Sequence, residues 1–287
     1  LAISEELGDK YGMGYSLLSI GNVHFKRGDY DKALDYYGRS LAISEELGDK
    51  REMGYSLGSI GLVHSDKGDY DKALDYYDRA LAIFEKLGDK HGVGNCLLNI
   101  GIVHYDKCGS DTALDYFNRS LAISEDLGDK RGMGYSLNSI GNVHNYKGDY
   151  DKALDYFNRS LAISEELGDK YGMGYSLLGI GIVHHNKGDY KKAEEYLEKS
   201  LTIQKEIGLK IIELNTTTYL YLAYKHLGKE YDEKEIHTLI KETENIEFKL
   251  NYRLYQLLED TSYLETAYNQ VQEMSNNLEP DVAAKFL

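Results

Sequence analysis

A chain of 287 residues with a formal net charge of -15 and acidic residues spread throughout argues against a surface that tracks nucleic-acid phosphates. Its 27 tyrosines do not amount to a base-stacking platform, because no basic groove accompanies them. No run of apolar residues is long enough for a membrane span, and two cysteines, Cys96 and Cys108, falling together in one segment point to free thiols, a reducing compartment and a cytoplasmic setting.

Taken in chain order, residues 1–7 (LAISEEL) duplicate residues 41–47, the end of a helix whose own partner is missing. The chain is therefore expected to begin inside a repeat, as a piece of a longer protein. The stretch 16–47 returns at Ser56, Cys96, Ser136 and Ser176, each time 40 residues on, giving complete copies at 8–47, 48–87, 88–127, 128–167 and 168–207. A fixed period in this range marks a repeat array, in which a single unit cannot bury its own apolar face.

Inside one copy, Met13, Leu17, Ile20, Gly21 and His24 recur at spacings of three and four, which predicts one face of a first helix. Gly28 stops it, and Asp29 is expected to cap the next. The second helix carries Ala33, Leu34, Tyr37, Ser40, Leu41 and Ile43 inward, and small Gly21 and Ala33 allow a close crossing. The LeuGlyAspLys tetrad 47–50 repeats the stop and start, with Asp49 and Glu52 at capping-box spacing. The third turn differs: Lys107, Cys108, Gly109 and Ser110 replace LysGlyAspTyr, so a looser or differently shaped bend is expected there. After Ile207 the pattern decays into helices predicted at 210–227, 232–243, 245–260 and 261–278. Thr261 is the candidate cap of the last of these, and Pro280 suits the first turn of a final helix.

The set Leu17, Ile20, Gly21, His24, Gly28, Tyr30, Ala33, Tyr37 and Ser40 resembles the tetratricopeptide repeat (TPR), strongly over residues 1–206 and weakly beyond. The longer period and the linker without a terminal proline are similar to Pins-type polarity adaptors and bacterial Rap-type regulators. One departure is histidine at His24, His64, His104, His144 and His184, where tyrosine is usual. The resemblance implies an all-α fold, a right-handed superhelix (solenoid) of helical hairpins whose first helices line the concave face. It divides the chain into an array at 1–207 and degenerate helical pairs with a cap at 208–287.

Comparison among the copies separates scaffold from variation. Gly14, Ala33 and Tyr36 keep their identity in every copy, whereas Leu18, Asn22, Phe25 and Lys26 and their counterparts change. Spacings of four, three and one put these on one stripe of the first helix. The stripe is the candidate partner-binding face: Leu18, Asn22, Phe25 and Lys26, then Leu62, Asn99, Ile102 and Tyr105, then Asn138, Asn142, Tyr146, Ile182 and His185, flanked by Tyr15, Tyr55, Tyr135 and Tyr175. By resemblance, Asn22, Asn142 and Asn99 match amides that bond a bound peptide's backbone. Leu62, Ile102 and Ile182 break that ladder and favour apolar anchoring of an amphipathic helix.

The histidine ladder is not read as a metal site, since stacked units stand about 8–10 Å apart and zinc needs ligands at about 2 Å. No catalytic constellation, cofactor motif or metal set is read. The expected function is a non-enzymatic interaction scaffold that binds protein or peptide, not nucleic acid or membrane. Two alternatives are end-to-end self-association into an assembly, and a regulatory region of a larger signalling protein.

Overall fold

A computed structural model describes residues 7–107, 109–243 and 246–276. The expected partial helix at 1–7 and the final helix at Pro280 fall essentially outside these residues. Every element among them is helical, in hairpins: α1 (Lys10–Lys26) with α2 (Tyr30–Leu47), α3 (Lys50–Asp66) with α4 (Tyr70–Leu87), and α5 (Lys90–Asp106) with α6 (Ser110–Leu127). Then come α7 (Lys130–Tyr146), α8 (Tyr150–Leu167), α9 (Lys170–Asn186), α10 (Tyr190–Ile207), α11 (Lys210–Leu227), α12 (Glu233–Glu242), α13 (Phe248–Leu258) and α14 (Thr261–Asn276). The fold class is all-α. The chain forms two compact units, Leu1–Gly132 and Met133–Leu287.

Local chemistry sets the hairpin ends. Gly48 takes φ 69°, a conformation open to glycine at little cost, so that Asp49 N–H can reach back to the Ser44 carbonyl at 2.9 Å and close α2. Asp49 then accepts from the amides of Arg51 and Glu52, both at 3.1 Å, and starts α3. The reciprocal half of the capping box is not made, since Glu52 Oε2 is buried without a partner. Burial, then the charge of Asp49, raises the Glu52 pKa against the pull of Arg51.

The other aspartate series departs from expectation. Asp29, Asp69 and Asp149 precede α2, α4 and α8 but make no side-chain bond to the helix amides. Their carboxylates sit instead 3.1–3.2 Å from Nδ1 of His24, His64 and His144. A ring nitrogen held within hydrogen-bond reach on the same hairpin outcompetes an amide that water can serve. Thr261 is likewise not the cap of α14; Asp260 Oδ1 accepts from Ser262 N–H at 2.9 Å.

Each histidine lies flat on a tyrosine of the second helix. His24 and Tyr36 have ring centroids 5.3 Å apart with planes 7° from parallel, and His64–Tyr76, His104–Tyr116, His144–Tyr156 and His184–Tyr196 repeat the stack. Arg39, Arg79, Arg119 and Arg159 cover the outer faces of these tyrosines, Arg39 at 5.4 Å. A carboxylate, an imidazole, a phenol ring and a guanidinium thus form a column on the hairpin, each contact worth about 0.5–1.5 kcal/mol.

The third turn keeps the backbone bond to its histidine carbonyl and loses the carboxylate. Gly109 N–H bonds the His104 carbonyl at 2.7 Å, the bond that Asp69 N–H makes to His64 at 2.8 Å, and α6 starts in register. No carboxylate stands at position 109 to meet the His104 imidazole. Burial, assisted by Lys107 and opposed by Asp78, lowers the His104 pKa. Cys108 lies outside the described residues.

These shifts give a signed prediction. His104, His184 and His185 have pKa values lowered mainly by burial, so the unfolded chain binds protons first, and their stabilisation is complete above about pH 6.5 and drains away below it. Asp29 is lowered chiefly by its His24 bond; at Asp69 burial pulls upward but His64 and Lys72 together outweigh it, so a second loss begins below about pH 3.8. Urea midpoints measured from pH 8 to pH 3 should fall in two stages; a single acid transition would contradict the assignment.

Between hairpins the packing varies. In the first unit Ser56 Oγ donates to Ser40 Oγ at 3.2 Å, and Ser40 donates to the Gly14 carbonyl at 2.9 Å. In the second unit Ser176, Ser160 and the Gly134 carbonyl form the same relay at 3.1 and 2.9 Å. Next to α4 the relay is replaced as a set: Ala80, Phe84 and Cys96 join Leu57 in an apolar cluster. Burial pushes the Cys96 thiol up to about 12, which leaves it protonated and inert.

Candidate functional site

The first helices of successive hairpins touch within each unit, α1 with α3, α3 with α5, and α9 with α11, so the stripe positions of a unit lie on adjoining helices. Their surroundings differ sharply. Leu18 and Phe25 are half-buried and pack against the cluster of Ala33, Tyr37, Ile60 and Val63. Asn22 is exposed, and its Oδ1 accepts from the Tyr37 hydroxyl at 2.7 Å. Lys26 is exposed; Leu62, Asn99 and Tyr105 are half-buried. Ile102 stands open at 37% and Tyr15 at 67%. Tyr55 leans on the Phe84 ring, centroids 5.2 Å apart.

In the second unit, Asn142 and Tyr146 are exposed, while Asn138, Tyr135 and Ile182 are half-buried. Asn138 Oδ1 lies 3.2 Å from Ser176 Oγ, and Asn186 donates to Asn145 at 3.1 Å, so some stripe amides tie neighbouring helices together. Tyr175 is half-buried, and Tyr171 donates to its hydroxyl at 3.2 Å. Burial foremost, then Tyr171, raises the Tyr175 pKa.

Part of the stripe's chemistry comes from residues that periodicity did not single out. His185 shares its surroundings with Tyr190, with Tyr219 and His226 of α11, and, through Tyr219, with Arg253 of α13. The available signal was one arginine inside the otherwise apolar and aromatic run FKLNYRLYQLL, a residue type rarely placed facing a core without a partner. Among the described residues no group of three or more His, Cys, Asp and Glu is placed to hold a metal ion, and no helix is long and apolar enough to cross a membrane.

The tetratricopeptide repeat family matches residues 12–86, 52–126 and 133–206, which together are more than half of the chain. The chain is a tetratricopeptide repeat protein. No curated protein matches it. Among solved structures, the TPR chain is similar to a Rap conjugation gene regulator of plasmid pLS20 in complex with a Phr peptide, at 18% identity and a TM-score of 0.79, over 95% of this chain and 77% of that one. It is also similar to a Rap protein complexed with competence and sporulation factor (19% identity, TM-score 0.70, 96% and 72% covered). A third is aspartyl phosphate phosphatase F from Bacillus subtilis (19%, TM-score 0.67, 96% and 71%). At such identities the likeness establishes the shared TPR fold.

Proposed function

We propose that this TPR chain is a non-catalytic interaction module whose first helices, on the concave face, take an extended peptide or a partner helix. The observation that carries the reading is the contrast within each hairpin. The His–Tyr stacks are kept throughout, while the stripe beside them varies and leaves Ile102, Asn142 and Tyr146 open. Exposed carboxamides suit a peptide backbone, whose N–H and C=O groups need partners once covered. Exposed aliphatic and aromatic side chains supply the anchors. Two of the similar Rap structures hold a peptide or factor, which supports the same use of the fold here.

The division into an array at 1–207 and a closing segment at 208–287, and a reducing cytoplasmic setting for the buried Cys96, belong to the same proposal. Affinity capture from native lysate tests it, comparing the wild-type chain with a variant carrying Asn22→Ala, Ile102→Asp and Asn142→Ala, and with an outer-wall control, Asp115→Ala. Partners should be lost from the first variant and kept by the control. Identical partner sets from all three would remove the stripe from consideration.

A further inference from the structure

The stripe ends, in the second unit, at a group of polar atoms with nothing to bond. His185 is enclosed edge-on by Tyr190 at 5.3 Å, Tyr219 at 5.5 Å and His226 at 6.1 Å between ring centroids, and Tyr190 stacks on His226 at 4.1 Å. Both ring nitrogens of His185 are buried and make no hydrogen bond of good geometry, the Asn186 carboxamide coming near enough only to favour the charged ring. Arg253 lies over the Tyr219 ring at 4.6 Å and donates to Tyr219 Oη and Asn215 Oδ1, both at 3.1 Å. Its Nε–H is also buried and unpartnered.

Among the described residues no carboxylate pairs with Arg253 or His185, although the chain carries a net charge of -15. The adjacent Lys225 is already committed to Glu259 at 2.7 Å. Leaving a guanidinium N–H and two imidazole nitrogens unmet in a partly buried site costs more than any of their neutral contacts returns. Burial chiefly, then the neighbouring His226 and Arg253, lowers the His185 pKa, and the Asn186 carboxamide opposes this. An anion beside the ring would reverse that balance and draw a proton onto it.

We propose that Arg253 and His185 form the binding site for a carboxylate of the bound peptide, which accepts from their N–H groups, with Tyr190 and Tyr219 as its walls. The proposal rests on the peptide-binding reading above and adds the chemistry of one end of the ligand. The stripe residues alone offer a single fixed cation, Lys26; the fold supplies a second from α13. A carboxylate fits better than a phosphate dianion, because the site holds one permanent positive charge and two of its N–H directions are already spent on neutral oxygens. The carboxylate can be a chain end or an acidic side chain.

The test is imidazole NMR on the full chain with isotope-labelled histidine. It is titrated with N-acetylglycine for a chain end, N-acetylaspartate α-amide for a side chain, inorganic phosphate, and sodium chloride at matched ionic strength. A saturable shift of the His185 signals with at least one carboxylate is expected, with a rise in its titration midpoint; the tighter of the two names the source. Arg253→Gln should weaken that binding about tenfold or more, as loss of a charge-assisted bond does. If that variant loses its helical circular dichroism, His185→Phe keeps the edge-on packing, and the His226 signal then reports the loss.

An equal response to chloride, no saturable response, phosphate binding tighter than both carboxylates, or unchanged binding in the variants would each overturn the assignment. Stripe-dependent partner capture without a carboxylate response would remove this site and leave the interaction module standing. A carboxylate response without stripe-dependent capture would do the reverse.

Discussion

Replacing Phe157 with alanine should lower the unfolding free energy by about 3–5 kcal/mol, the range for truncating a fully buried aromatic ring. The ring is 1% exposed and packs with Ala153, Ile180 and Val183. It occupies the space that a Cβ on Gly141 would approach to 2.9 Å and one on Gly179 to 2.5 Å, so glycines of two successive first helices form its slot. Helix backbone cannot fold inward to refill that volume, which places the cost at the cavity-dominated end of the scale. In a repeat array each unit is held by its neighbours, so the loss should also spread along the second unit. Denaturant unfolding measures the total, and hydrogen exchange should show reduced protection in α7 to α10. A change below about 1 kcal/mol would mean that the slot collapses after all.

The opposite error should also be costly. Gly101→Ala offers about 1 kcal/mol of helix propensity, yet the added methyl would stand 2.6 Å from the Phe117 ring and 3.2 Å from Tyr116 Cβ. Phe117 is 1% exposed and has no room to swing away. A net loss of about 1–3 kcal/mol is expected, the usual range for overpacking a filled core. Gly58→Ala is the matched control, since nothing lies within 4 Å of its added Cβ; it should be neutral or stabilising. Combining Gly101→Ala with Phe117→Ala should cost less than the sum of the two single changes, because the added methyl then enters space that the Phe117 ring has left, whereas leucine would not relieve it: a Cβ on Gly181 still meets Leu197 at 2.7 Å. Additive effects in that double variant would show that the two residues do not share the crossing.

Several features of the chain are legible in its sequence alone. The period located five hairpins, and glycine with aspartate or lysine marked their ends, because helix formation, termination and a left-handed cap depend on residues within one turn of each other. The inward positions Leu17, Ala33, Tyr37 and Ser40 followed from spacing alone, and all four are buried. The variable stripe was likewise visible, since it required only comparison of one copy with the next.

Tertiary structure decided what each polar group binds. Asp29 is well placed in sequence to cap α2, but its carboxylate goes to His24, whose ring is held in position by Tyr36 from the other helix of the hairpin. Gly109 keeps the backbone bond to His104 because that bond needs an amide and no side chain. Arg253, Tyr219 and His226 meet at His185 only once α11 and α13 are packed against the last regular hairpin. A hydrogen bond or charge contact acts over a few ångströms in space, whatever the distance along the chain, so periodicity finds the helices and only their packing brings these side chains together.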